Sequence, residues 1–135
     1  AMRALWTDEV AEYHGAPVDF PPTWSWPKPE RPVPVLVGGG AGPKMFAHIA
    51  EYGDGWIPIG GAGLAESIPA FRAAMEEAGR DLDTMRIVAF GSHPSPEKLE
   101  HFERIGVTEC VFRLPSAPAD EVLAVLDEQA LVIGR

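Results

Sequence analysis

A cluster of glycines between a β-rich run and a helical pattern is the strongest chemical signal in this 135-residue sequence. Gly38, Gly39, Gly40 and Gly42 end the β-rich run, and Lys44 falls in the first turn of the helix that follows. Backbone amides can approach an anion closely where no Cβ intervenes, and the N-terminus of a helix adds partial positive charge. The spacing therefore predicts a phosphate cradle, and the alternative is a strand-to-helix turn that binds no ligand.

This cluster does not follow either of the common phosphate motifs. A GxGxxG pattern laid from Gly38 puts Pro43 at the last glycine, and the same pattern laid from Gly40 puts Met45 there. A P-loop is excluded because Lys44 is followed by Met45 rather than by Ser or Thr. The local sequence leaves phosphate binding and a plain turn both open.

The other polar candidates point less directly to chemistry. His93 follows a predicted strand, His48 and His101 fall within predicted helices, and His14 stands at a predicted helix end, where a cation suits the helix dipole. The single cysteine, Cys110, is predicted to be a buried strand thiol, and it excludes an internal disulfide or a CxxC site. The motifs of zinc proteases, EF-hands and nucleophile elbows are absent, so no metal site is expected and no catalytic residue is assigned.

Composition narrows the class of protein. The formal charge of −9 opposes binding to a polyphosphate backbone, so a nucleic-acid partner is not expected. No apolar run approaches the roughly 18 residues of a membrane span, and the N-terminal residues lack the apolar core of a signal peptide. We expect a cytoplasmic protein without a membrane partner.

From about residue 33, short β-rich runs alternate with segments whose apolar residues recur at helical spacing. Strand starts recur roughly every 22 to 30 residues, as in parallel strands joined by crossover helices. The predicted strands are 34–37, 56–59, 85–90 and 109–114. Residues 33–135 are therefore predicted to form four parallel βα units, an α/β fold. Four units fit either a small open sheet or half of an eight-stranded barrel, which needs about 250 residues.

Residues 1–32 do not share this period. Leu5, Trp6, Val10 and Tyr13 predict a helix that His14 ends, and residues 21–29 are too rich in proline to be helical. Trp24 and Trp26 in this stretch favour an ordered excursion across one end of the sheet, where they either line a substrate mouth or pack the excursion.

Three segments, taken in order, resemble the luciferase-like monooxygenase superfamily. Residues 34–58 read PVLVGGGAGPKMFAHIAEYGDGWIP, in which a strand ends in glycines and a helix carrying Ala and His precedes an Asp-Gly-Trp strand start. Residues 5–29 read LWTDEVAEYHGAPVDFPPTWSWPKP and resemble an inserted segment of the branch that depends on the deazaflavin coenzyme F420. Residues 91–116 read GSHPSPEKLEHFERIGVTECVFRLPS and resemble the closing barrel strands. The resemblance covers nearly the whole chain.

This resemblance implies a TIM barrel of roughly twice this length, of which the chain is the C-terminal half. It implies F420 as the cofactor, with FMN as the alternative. The positions that match the family's cofactor loops are Gly38, Gly39, Gly40, Gly42, Lys44, Gly60 and Gly61. The first five match the phosphate loop, and the last two border the cofactor tail. The strands that supply the bed for the reactive ring lie outside the resemblance.

The first functional hypothesis is that the chain is the C-terminal part of a luciferase-like flavin- or F420-dependent oxidoreductase and supplies its phosphate loop. The alternatives are a small non-enzymatic α/β module that binds a phosphorylated ligand, and an inactive truncated half-barrel. A half-barrel leaves open parallel edges near Val35 and Val111. These edges predict self-association, for example as a homodimer.

Overall fold

The N-terminal part of the chain forms a short helix followed by a β-hairpin. In the computed structural model, which describes residues 1–58 and 63–134, the chain divides into two compact units, Ala1–Pro34 and Val35–Arg135. In the first unit, helix α1 spans Met2–Thr7, and strands β1 (Val10–His14) and β2 (Asp19–Trp24) pair antiparallel.

The predicted helix that continues to His14 is wrong. Helix α1 ends at Thr7 because Asp8 is extended, with φ −86° and ψ 137°. The following residues pair with β2, and their backbone groups form hydrogen bonds in this pairing. The helical spacing of the apolar residues gives no sign of the partner strand. His14 consequently does not end a helix: its Nδ1 lies 3.3 Å from an Oδ2 of Asp19, the opposite residue in the hairpin.

The second unit is built on a parallel sheet. Its strands within the described residues are β3 (Leu36–Gly39), β4 (Gly55–Pro58), β5 (Arg86–Ser92) and β6 (Glu109–Phe112). Neighbouring strands are parallel, and the order β3-β4-β5-β6 follows the sequence. In a doubly wound sheet the later strands are added on the opposite side of the first strand, so the spatial order does not follow the sequence. The sequential order found here is that of a barrel segment.

A helix follows each of these strands. The helices are α2 (Pro43–Tyr52), α3 (Leu64–Glu77), α4 (Pro96–Ile105) and α5 (Ala119–Val132), and a 3₁₀ turn, Leu82–Thr84, precedes β5. Local signals specify their ends: the Ser95 side chain caps α4 by accepting from the backbone N–H of Lys98, and Gly106 ends that helix with φ +90°. The predicted series of four parallel βα units is confirmed.

The core lies between the sheet and the helices. It consists of Phe46, Ile49, Trp56, Leu64, Ile68, Phe71, Met75, Met85, Ile87, Ala89 and Phe102. Three rings form its centre: Trp56 stacks on Phe71 at 5.6 Å between centroids, and Phe46 meets both rings edge-on. The side chains that β4 and β5 direct toward the helices thus anchor the two central strands, and β4 pairs with β3, the strand that leads to the predicted phosphate loop. Across residues 1–58 and 63–134, no helix has the length and hydropathy required to cross a bilayer.

Candidate cofactor site

The predicted phosphate loop joins the C-terminal end of β3 to the N-terminus of α2. Gly42 precedes the helix in an extended conformation (φ 163°), and its carbonyl accepts from the N–H of Phe46 at 3.0 Å. No side chain caps this helix end, and Pro43 at the first position has no N–H. The next amides, of Lys44 and Met45, belong to the first turn and have no acceptor within the helix. Two backbone donors are thus available to an anion.

The glycines of this loop differ in how much space the structure leaves for a Cβ atom at each position. None of Gly38, Gly39, Gly40 and Gly42 lies in the left-handed region of backbone conformation, since Gly42 with φ 163° is extended. A Cβ at Gly39 would meet the terminal methyl of Met45, the end of a flexible side chain that can move aside, so packing favours glycine there without requiring it. A Cβ at Gly38 would meet only the Ile57 carbonyl oxygen at 3.9 Å, an ordinary contact.

Gly40 and Gly42 have no such internal cause. A Cβ built at either position meets no atom of the described residues within 4 Å. Neither the backbone conformation nor the packing of the described chain requires glycine at these two positions. The loop therefore leaves open space directly at its backbone, as a site must where an anion approaches main-chain amides.

A buried indole holds the start of this loop. Trp56 is 1% exposed, and its Nε1 donates to the carbonyl oxygen of Gly39 at 3.0 Å. Asp54 connects the N-terminal ends of the same two strands: its Oδ2 accepts from the N–H of Val35 at 2.7 Å. Sequence reasoning assigned Trp56 and Asp54 only to a strand start. The signal for both was present in the Asp-Gly-Trp triplet that follows the helix.

The sequence profile of luciferase-like monooxygenases matches residues 1–100. The chain belongs to the luciferase-like monooxygenase family. An uncharacterised protein of Mycobacterium bovis is 42% identical over 132 residues, which are 96% of this chain and 46% of that protein. An F420-dependent glucose-6-phosphate dehydrogenase of Tsukamurella paurometabola is 34% identical over 103 residues, 71% of this chain and 30% of that protein. The chain spans less than half the length of these curated relatives.

A solved structure shares the fold of this family member. An F420-dependent secondary alcohol dehydrogenase in complex with an F420-acetone adduct matches with a TM-score of 0.53 and 26% identity. The match covers 78% of this chain and 34% of the dehydrogenase chain. The predicted fold class, an α/β half of a TIM barrel, is confirmed, and so is the resemblance on which it was based.

The remaining loop positions of this luciferase-like chain carry less information. Lys44 is exposed in the first turn of α2 and forms no ion pair with the described residues. Gly60 and Gly61, which were predicted to border the cofactor tail, lie outside the described residues. Their assignment stays a prediction.

The other candidate side chains do not assemble into a site. His93 is exposed in the loop after β5, and His48 and His101 are exposed on α2 and α4. Cys110 is half-buried in β6, where burial raises the pKa of its thiol against the smaller, opposing effect of Lys98. Over residues 1–58 and 63–134, no three His, Cys, Asp or Glu side chains are grouped as metal ligands.

Trp24 and Trp26, two of the three tryptophans of the N-terminal unit, are not packed as a core. Trp24 is 74% exposed and Trp26 is 57% exposed. Their rings meet edge-on with centroids 6.3 Å apart. The Nζ of Lys28 lies 5.7 Å from the centre of the Trp26 ring. A role at a substrate mouth and a role in packing the excursion both stay predictions.

Proposed function

We propose that this chain supplies the phosphate loop of an F420 site in an oxidoreductase of the luciferase-like family. The observation that carries the proposal is the pair Gly40 and Gly42 at the uncapped N-terminus of α2. Open space stands where their Cβ atoms would lie. The family membership and the F420-dependent dehydrogenases among the similar proteins support F420 as the ligand.

Each part of the loop has a defined role in this proposal. The amides of Lys44 and Met45 donate to phosphate oxygens, and the ammonium of Lys44 adds a positive charge at the same helix end. The bond from the Trp56 indole to Gly39 keeps the loop in place without a change of conformation on binding. Bound F420 would carry the hydride of the reaction.

FMN is the alternative ligand, because it also carries a phosphate that the same amides could bind. The loop geometry does not distinguish the two cofactors, whereas the named relatives favour F420. Use of oxygen, as in a monooxygenase, and a cytoplasmic location stay predictions from the sequence.

A substitution at Gly40 tests the phosphate loop. In Gly40→Val the added methyl groups enter open space, so the thermal unfolding midpoint should stay close to that of the original chain. The affinity for F420, measured by fluorescence titration, should fall at least about tenfold because the amides become shielded. Ala47→Val is the matched control, since Ala47 is exposed on α2 outside the loop.

Three results would contradict the proposed phosphate loop. The first is unchanged F420 affinity in folded Gly40→Val. The second is an equal loss of affinity in Ala47→Val. The third is no binding of F420 by the original chain near millimolar concentration, and a parallel titration with FMN identifies the preferred cofactor.

We also propose that copies of the chain associate through the open edges of the sheet, β3 and β6. Phe90 and Val111 on the face that the helices do not cover are 60% and 41% exposed, and association would bury them. Sedimentation velocity over a range of concentrations should show a mass that rises with concentration, and a constant monomer mass would contradict association.

A further inference from the structure

A cleft lies entirely within the N-terminal unit, and the proposed function does not use it. Its volume is about 380 Å³, within the range of small-molecule sites. It is lined by Arg3, Trp6, Thr7, Lys28, Pro29, Glu30, Arg31, Pro32 and Val33. These residues come from α1 and from the proline-rich segment after β2, so the cleft is formed where two stretches distant in sequence meet.

The charge of this cleft is opposite to that of the chain. The protein carries a formal charge of −9, with 11 basic residues among 135. Three basic side chains, Arg3, Lys28 and Arg31, line the cleft, and Glu30 is its one acidic residue. A concentration of cations in an acidic protein attracts anions to this place and away from the rest of the surface.

Two of the cations are positioned to bind a ligand. Lys28 is half-buried, and its Nζ donates to the carbonyl oxygen of Leu5 at 2.9 Å, which holds the ammonium beside α1. The same ammonium lies 5.7 Å from the centre of the Trp26 ring, and a ligand carboxylate would accept from an N–H that Leu5 does not use. Arg31 is exposed and makes no hydrogen bond or ion pair with the described part of the chain. Its planar guanidinium can form two parallel hydrogen bonds with a carboxylate.

The other walls of the cleft are apolar and stiff. Trp6 is half-buried and presents an indole to the cleft, and Pro29 and Pro32 restrict the backbone of the opposite side. An indole wall favours a flat or apolar group, and a restricted backbone lowers the entropy lost on binding. Glu30 offsets part of the positive charge, and the paired donors of the Arg31 guanidinium match the two oxygens of a single carboxylate.

We propose that this cleft binds a small organic monoanion in which a carboxylate is joined to a flat apolar group, such as an aryl carboxylate. The carboxylate pairs with Arg31 and Lys28, and the apolar group lies against Trp6. The site is independent of the F420 loop, so loss of F420 binding leaves it unaffected.

Benzoate is a suitable probe, with benzamide as its neutral counterpart and inorganic phosphate as an anion without an apolar group. In ¹H–¹⁵N NMR spectra of the full chain, benzoate should shift the indole N–H of Trp6 saturably at millimolar concentration. The Arg31→Gln variant should weaken benzoate about tenfold. Arg104→Gln, which removes the same charge from the exposed face of α4, should leave the affinity unchanged.

Several results would overturn the proposal. Equal binding of benzamide would show that the charge is not recognised, and equal binding of phosphate would show that the indole wall is not used. An equal loss of affinity in Arg31→Gln and Arg104→Gln, or no saturable shift with benzoate, would also overturn it. The same spectra report whether each variant is folded.

Discussion

The two faces of the four-stranded sheet differ in how completely they are covered. On the face toward the helices, Trp56, Ile87 and Ala89 are at most 2% exposed. On the other face, Val88 is 2% exposed, but Phe90, two residues further along β5, is 60% exposed and lies opposite Val111 in the strand pairing. The strands are thus apolar on both faces, but helices cover only one of them. Strands of parallel sheets are usually buried on both faces, which is why this sequence reads as near-continuous apolar runs.

The uncovered face also carries a pair of charges. Arg86 and Glu109 stand at the beginning of β5 and β6, and Arg86 Nη2 donates to Glu109 Oε2 at 2.6 Å, while Nε donates to Oε1. Their side chains are 36% and 41% exposed. Charges are tolerated at this end of the face because they pair with one another, whereas the helix side holds the aromatic core. The helices of the four βα units thus cover one face of the sheet completely, whereas the other face keeps exposed apolar side chains at Phe90 and Val111.

The largest effect is expected for Trp56→Ala. Removal of a fully buried indole leaves a cavity and breaks the hydrogen bond to Gly39, so the free energy of unfolding should fall by about 3–5 kcal/mol. Phe90→Ala on the other face should cost well under about 1 kcal/mol. Urea unfolding at low protein concentration measures both, and equal losses would show that the second face is covered after all.

A smaller loss is expected for Gly55→Ala. A Cβ at Gly55 would lie 2.5 Å from the backbone oxygen of Arg86, which cannot move without disturbing the strand pairing. We expect the free energy of unfolding to fall by about 1–3 kcal/mol. Gly38→Ala is the matched control on β3, with only an ordinary contact at 3.9 Å, and similar midpoints for the two variants in urea would refute the close approach.

The smallest effect concerns the ion pair. The hydrogen bonds from Arg86 lower the pKa of Glu109, so the pair stabilises the fold above the unfolded-state pKa, and this contribution is lost as the pH falls through the lowered pKa. Solvent exposure limits it to about 1 kcal/mol or less. Glu109→Gln should therefore reduce the loss of stability between neutral and acidic pH. Glu100→Gln, on the exposed side of α4, should leave that pH dependence unchanged. If Glu109→Gln had the same pH dependence of stability as the original chain, the ion pair would not be the source of that dependence.

The fold of the second unit could be predicted because its signals are local. Ser95, Pro96 and Gly106 mark the two ends of α4 through the backbone conformations that these residues favour. The hairpin of the first unit was missed because its stability comes from pairing between two segments. The spacing of Val10 and Tyr13 is compatible with a helix until Asp19–Trp24 is placed beside them.

The candidate site likewise has features that local sequence predicts and features that only the folded chain shows. Local sequence located the glycine loop between a strand and a helix, because proline and glycine act on the backbone at their own positions. Only the folded chain separated Gly39, which makes room for Met45, from Gly40 and Gly42, beside which the described residues leave open space. The same is true of the basic cleft, because Lys28 reaches Leu5 across 23 positions of sequence. Such proximity depends on how the chain folds back on itself, and no local pattern records it.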